Sequence, residues 1–265
     1  MTIAIGLRAT DGIVIAADRE EGDGYLTNDR GKIFQVFRGL PPIGWITVTG
    51  AGDGPALDEV SKLLGDVFCA EGERTRADSK AALAAEHRRY YEKTIVPFVL
   101  HSSYPDYALI IGCLEGQTGK ALFATSRLAF NESNDYEAVG VGASVANNWL
   151  GALYDFMPSV SAVRLAAYVV YKVKNFVSGC GLGTDVVVLR PNKLFARVPS
   201  EVIRKWEDAF RYYPSLERNV FSYCVGVEPN EFLLRTRPDL ESINKGIENM
   251  RNALNPSDAE KSEWA

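Results

Sequence analysis

The stretch Thr2-Ile3-Ala4-Ile5-Gly6-Leu7-Arg8-Ala9-Thr10-Asp11-Gly12-Ile13-Val14-Ile15-Ala16-Ala17-Asp18 decides the reading of the chain. Ile3, Ile5 and Leu7 alternate with Ala4, Gly6 and Arg8, the period of two that a pleated strand imposes on its faces. Asp11-Gly12 is a tight-turn dipeptide, because both residue types tolerate the positive φ that a two-residue hairpin loop requires. Ile13 to Ala17 is apolar without interruption, as in a buried return strand, and Asp18 ends it. Residues 2–18 are therefore predicted to form a β-hairpin.

Working outward, a Gly-rich polar stretch from Glu20 to Gly24 precedes two more predicted strands, near Lys32–Phe37 and Gly44–Thr49. Gly50-Ala51-Gly52-Asp53-Gly54 is a glycine-rich turn leading into a helix whose Leu57, Val60, Leu64 and Val67 share one face. Residues 76–98 are rich in Ala, Glu, Lys and Arg and read as a second helix, ended by Pro97. Strands follow at Tyr107–Cys113 and Lys120–Thr125, joined by a turn at 116–119, and another runs near Tyr136–Val139 into Gly140-Val141-Gly142. A helix containing Trp149 and Leu150 comes next. From Ser159, Val163, Ala166, Ala167, Val170 and Val173 recur at helical spacing. The chain returns to strand at Asp185–Leu189, with a closing strand at Lys193–Ala196. Strands, two helices, strands, two helices and strands suit two sheets stacked face to face, each with a helical layer outside it, an α+β four-layer αββα sandwich. Residues 2–198 are assigned to this domain. Residues 199–265 are punctuated by prolines and carry a polar helix over Glu241–Leu254, and are predicted to be a C-terminal extension packed on the core.

Bulk properties narrow the function classes. A net charge of −5 argues against a nucleic-acid-binding surface and against a polybasic membrane contact. Cys69, Cys113, Cys180 and Cys224 show no CxxC spacing and the histidines are His87 and His101 alone, so no metal site is expected. The opening residues lack a basic region followed by an apolar one, and no apolar run reaches the roughly 20 residues of a membrane span, so a cytoplasmic location is expected. No phosphate-binding loop is present, and no cofactor is expected.

Taken singly, the polar residues of this framework are ordinary. Thr2 reads as a processed N-terminus, Asp18 as the end of a strand, Lys32 as a solvated cation and Gly50 as a helix-entry glycine. Taken in order, Thr2 opening a strand, the Asp11-Gly12 hairpin, Ala16-Ala17-Asp18, Gly31-Lys32-Ile33-Phe34 and Thr49-Gly50 closely resemble the N-terminal portion of proteasome β-type subunits and their bacterial relatives, which are N-terminal nucleophile (Ntn) hydrolases. The resemblance is good over residues 2–68, weaker to about 196 and absent beyond.

That resemblance implies a threonine-type peptidase with the αββα fold. Removal of Met1 exposes the Thr2 amine, whose pKa near 8 leaves a useful neutral fraction to act as base toward the Thr2 hydroxyl. Lys32 lowers the hydroxyl pKa and stabilises developing negative charge, Asp18 holds Lys32, and the Gly50 N–H donates to the oxyanion. The supporting aspartate and serine of the family match Asn175 and Ser178, the first of them changed to an amide that carries no charge. Val141 stands at a second family serine, with Ser144 close by. Pocket positions fall at Glu21, Val48 and Gly52, where Glu21 favours basic side chains. The expected partners are a peptide or unfolded-protein substrate, further copies of the chain in a ring or stacked ring, and an ATP-driven unfoldase. The competing reading is an inactive structural or assembly subunit, which Asn175, Val141 and the C-terminal extension favour and the joint presence of Thr2, Asp18, Lys32 and Gly50 opposes.

Overall fold

The computed structural model describes residues 2–22, 27–38, 44–70, 76–99, 106–115, 119–191, 194–214 and 240–255. The turn at 116–118, His101, Cys224 and residues 215–239 lie outside them. A first compact unit ends at Ser200, and a second begins at Glu201.

Two five-stranded antiparallel sheets build the first unit. In sheet one, β1 (Ile3–Ala9) pairs with β2 (Gly12–Asp18) as a hairpin, with Ala9 opposite Gly12. β10 (Tyr136–Gly140) flanks β1, and β11 (Thr184–Arg190) with β12 (Leu194–Arg197) extends the sheet beyond β2. Sheet two runs β5 (Phe34–Arg38), β6 (Gly44–Gly52), β7 (Tyr107–Glu115), β8 (Gly119–Ser126) and β9 (Ala129–Ser133) in that order. A small hairpin, β3 (Glu20–Gly22) with β4 (Thr27–Asp29), stands apart from both.

The unbroken apolar run of β2 is explained by its position at the centre of sheet one and of the sandwich. Ile13, Ile15 and Ala17 point to sheet two and meet Ile110, Leu114 and Leu122 there, joined by Val187 and Leu189 of β11. The opposite faces of β1, β2 and β11 are covered by α4 (Ser159–Phe176), which packs beside α3 (Ala143–Leu153). On the far side of sheet two, α1 (Gly54–Cys69) and α2 (Arg76–Thr94) enclose a second core of Val60, Leu64, Phe68, Leu83, Tyr91 and Ile111. The four-layer αββα sandwich expected from element order is the observed fold.

One capping contact ties the first hairpin to the outer helix layer. α4 begins after Pro158, which offers no side-chain cap, and Asp11 from the β1–β2 turn accepts hydrogen bonds from Ser159 N at 2.7 Å and Ser159 Oγ at 2.8 Å. Partial burial raises the pKa of Asp11, but those bonds outweigh it and hold the carboxyl below its ordinary value.

Several elements differ from the sequence expectation. β9 and the β3–β4 hairpin fall where no strand is expected, because β9 has Phe130 as its one large apolar residue and β3 and β4 have none, so no apolar period shows. α2 stops at Thr94 and a 3₁₀ turn occupies Val96–Phe98, since Pro97 has no N–H to donate to the carbonyl four residues back. In the second unit, α5 (Ser200–Phe210) buries Val202, Ile203, Trp206 and Phe210, and α6 covers Leu240–Leu254.

Candidate active site

Thr2 lies immediately before β1 and Asp18 ends β2, so the hairpin ladder that sets Ala4 opposite Ala17 brings the two ends together. Asp18 is fully buried and Thr2 is only 7% exposed. Asp18 Oδ1 accepts the Ile3 amide at 3.1 Å, which pins the backbone next to Thr2, and its Oδ2 accepts the Gly181 amide at 3.1 Å. Lys32 enters from the segment preceding β5. Its ammonium donates to Asp18 Oδ1 at 3.0 Å, to Thr2 Oγ1 at 2.5 Å and to the carbonyl of Glu20.

Each link has a physical consequence. A buried carboxylate is tolerated where charge and hydrogen bonds compensate it, and Asp18 has an ammonium and two amides. An ammonium donating to a hydroxyl favours the deprotonated oxygen, so the arrangement can ease loss of the Thr2 proton and stabilise charge that develops nearby. Cys180, the neighbouring thiol, is a poor competitor: burial, reinforced by the charge of Asp18, pushes its pKa up to about 11 and keeps it protonated.

Glycine is required where other backbone closes on the site. Gly140, opposite Ile3, has φ +106°, and a Cβ there would stand 2.1 Å from the Thr2 carbonyl oxygen. At Gly50 an added Cβ would meet the Ala108 carbonyl at 2.4 Å. β5 pairs with β6 only over residues 44–48, so among the described strands Gly50 is paired on its β7 side alone. Its other edge opens on a cavity of about 750 Å³ that Thr2, Lys32 and Gly50 all line. The cavity is continued by the β3–β4 hairpin, through Glu21 and Arg30, and by the start of α1, through Asp53 and Asp58.

The structure thus gathers Thr2, Asp18, Lys32 and Gly50, and sets Glu21 and Gly52 on the cavity wall. Three sequence-predicted positions fall elsewhere. Val48 is wholly buried in the core between sheet two and its helices, because its side chain takes the α1 face of β6. Asn175 is exposed in the last turn of α4, where its amide donates to the Tyr171 carbonyl at 2.9 Å, and it does not line the cavity. Ser178 is exposed in the turn that follows and does not line the cavity either. The same is true of Val141 and Ser144, at the start of α3. Missed in the sequence were the Gly181 amide, the Glu20 carbonyl and Arg30. Two are backbone groups with no sequence signature, and the third sits on a hairpin too short to recognise.

Among the described residues no cluster of His, Cys, Asp or Glu could hold a metal ion, and no helix is long and apolar enough to cross a membrane.

No family model matches the sequence. Curated relatives include the proteasome subunit beta of Methanopyrus kandleri, 26% identical over 210 residues, covering 77% of this chain and 94% of that protein. The proteasome subunit beta of Nanoarchaeum equitans is 27% identical over 172 residues, covering 63% of this chain and 81% of that protein. Among solved structures, Anbu from Hyphomicrobium sp. strain MC1 superposes with TM-score 0.67 at 15% identity, covering 86% of this chain and 99% of that one. Anbu (ancestral beta-subunit) from Yersinia bercovieri gives TM-score 0.66 at 14% identity, with 86% and 99% covered. The helical assembly of the Anbu complex from Pseudomonas aeruginosa gives 0.64 at 18%, with 82% and 96% covered. The chain is similar in sequence to proteasome β subunits and shares the fold of the Anbu proteins.

Proposed function

We propose that the chain is a threonine-type peptidase in which Thr2, freed by removal of Met1, attacks the carbonyl of a peptide bond. The observation that carries this reading is the Lys32 ammonium, placed 2.5 Å from Thr2 Oγ1 and anchored on buried Asp18. The Thr2 amine takes the hydroxyl proton, directly or through a water, as Oγ1 bonds to the carbonyl carbon. The resulting oxyanion is met by the Gly50 N–H, a donor of a kind typically worth about 2.7–4 kcal/mol. The amine returns the proton to the leaving nitrogen, leaving an acyl-enzyme ester that water hydrolyses. Lys32 donates to Oγ1 and stabilises the negative charge that develops there. The substrate is a peptide or unfolded protein, and copies of the chain assemble, as the Pseudomonas aeruginosa Anbu complex does in a helical arrangement. An ATP-driven unfoldase partner fits a chain without its own phosphate-binding loop.

A second reading, a non-catalytic assembly subunit, is favoured by Asn175. Its amide is turned onto its own helix, its side chain is exposed, and it does not line the cavity. Intact mass before and after an epoxyketone inhibitor separates the two. Such a compound needs both a free threonine amine and its hydroxyl. Loss of Met1 with one adduct that vanishes in Thr2→Ala supports the peptidase; retained Met1 with no adduct supports the scaffold.

A further inference from the structure

The cavity beside Thr2 already holds a cation that belongs to the chain. Arg30, between β4 and Lys32, donates from Nη1 to both carboxylate oxygens of Glu21 at 3.3 Å and from Nη2 to Asp58. The two carboxylates come from separate elements, Glu21 from the β3–β4 hairpin and Asp58 from α1, and converge on one guanidinium at the cavity wall. Once Lys32 is set against Asp18, the carboxylates lining the cavity (Glu21, Asp53, Asp58) outnumber its cations (Arg30, Lys62).

We propose that Arg30 is a built-in occupant of the substrate side-chain subsite. In this view the cavity takes peptides with a basic side chain, whose charged head replaces the Arg30 guanidinium between Glu21 and Asp58. The proposal rests on the reading of Thr2 as nucleophile for the position of the scissile bond, on whose N-terminal side that residue sits.

The exchange is cheap in structure. The side chains of Arg30, Glu21 and Asp58 are 45%, 35% and 61% exposed, so water and salt screen these pairs and hold the guanidinium loosely. The backbone of Arg30 is fixed, with its amide donating to the Arg19 carbonyl at 2.9 Å, so a swing of the side chain alone vacates the place. A carboxylate pair shaped to a guanidinium fork accepts another guanidinium, or an ammonium, with little rearrangement. An acidic side chain would instead meet carboxylates in excess and an arginine already engaged by two of them.

The test reads binding without turnover. Three fluorescent peptides differing only at the residue before the scissile bond (arginine, glutamate or norleucine) are titrated by anisotropy against Thr2→Ala. They are then titrated against Thr2→Ala carrying Arg30→Gln, or carrying Glu21→Gln with Asp58→Asn. With the occupant removed, the arginine peptide is expected to bind about tenfold more tightly while the norleucine peptide changes less than about twofold. With the carboxylates removed, the arginine peptide weakens about tenfold. Unchanged arginine-peptide binding in Arg30→Gln overturns the proposal. So does selective loss of the glutamate peptide, which would make Arg30 an anion receptor, and so does failure of every peptide to bind any variant. Absence of an epoxyketone adduct on the unmutated chain would sink the peptidase reading and leave these titrations to decide the subsite separately.

Discussion

The two flanks of Thr2 are built differently. On the sheet side, Asp18 and Lys32 are fixed by a hairpin ladder and by a run of hydrogen bonds in which Asp18 is fully buried. On the helix side, the stretch from Asn175 to Gly183 leaves α4, turns through Gly179 at φ +83° and Leu182 at φ +55°, and exposes Asn175, Phe176 and Ser178. Its hydrogen bond to Asp18 comes from a main-chain donor, Gly181 N. The sheet flank holds specific side chains, Asp18 through strand register and Lys32 through its hydrogen bonds from the segment preceding β5, whereas the helix flank meets Asp18 with a backbone donor. A backbone donor is indifferent to which side chain it carries, so the contact of Gly181 N with Asp18 places no demand on the side chains of this stretch.

The largest expected effect attacks the sheet flank. Lys32→Met keeps the bulk of the stem and removes the ammonium; loss of this charge should lower peptide turnover by about 10²–10⁴-fold, measured on a Met1-free preparation. Thermal unfolding of the same variant should also shift downward, because breaking a buried pair by removing one partner costs about 3–5 kcal/mol. Turnover within threefold of the unmutated chain would show that Lys32 is structural.

Gly50→Ala comes next. The new methyl would stand 2.4 Å from the Ala108 carbonyl of β7 and 2.8 Å from Leu57 Cδ2 of α1, so β6 and β7 must part locally and the Leu57 side chain must move. Denaturant unfolding should register a loss of about 1–3 kcal/mol, and unchanged stability would contradict the close approach of these elements.

Acid sensitivity separates failure at the site from failure of the frame. His87 on α2 is wholly buried among the rings of Tyr91, Tyr107 and Phe130, and among the described residues neither ring nitrogen has a hydrogen-bond partner. Burial depresses its pKa from 6.5 to about 4. For a base with a lowered folded pKa, the unfolded chain takes up the proton first. Stability is therefore lost as pH falls from about 6.5 to about 4, by up to about 1.4 kcal/mol per unit. The decline in melting temperature across that window should be shallower in His87→Leu than in the unmutated chain, and parallel curves would refute the assignment. Activity that still falls with acid in His87→Leu belongs to the site.

The smallest effects are expected on the helix flank. Asn175→Ala and Ser178→Ala alter exposed side chains outside the cavity, so stability should stay within about 0.5 kcal/mol and turnover within about twofold. A hundredfold loss of activity in either would return that residue to the site and break the contrast between the flanks.

Much of the fold was legible because the long elements announce their period. The β1–β2 hairpin, the apolar face of α1 and the spacing along α4 are each long enough for burial to impose a pattern of two or of 3.6 residues. β9 and the β3–β4 hairpin carry one large apolar residue between them, Phe130, and so show no such pattern, and α5 begins directly after Pro199, where no helix is expected from the sequence. At the site, Thr2, Asp18 and Lys32 could be singled out because their order along the chain resembles a known family. Asn175 and Ser178 lie off the cavity wall, because spacing along a helix end does not say which way the next turn goes. Val48 lies in the core, because strand neighbours face opposite sides and only register decides which side meets α1.

The sequence by itself determined the sandwich, since alternating and unbroken apolar runs can be satisfied only by stacking sheets between helices. It also determined that a threonine, a carboxylate and an ammonium lie at the ends of strands or in the short segment entering one. Only the tertiary structure decided that these ends converge, that Asp18 is sealed from water by Lys32, Ile3 N and Gly181 N, and that Arg30 reaches Glu21 and Asp58. The reason is that local pattern fixes which face of an element is buried, whereas a site joins residues far apart in the chain, and their meeting depends on register and on turns that carry no periodic signal.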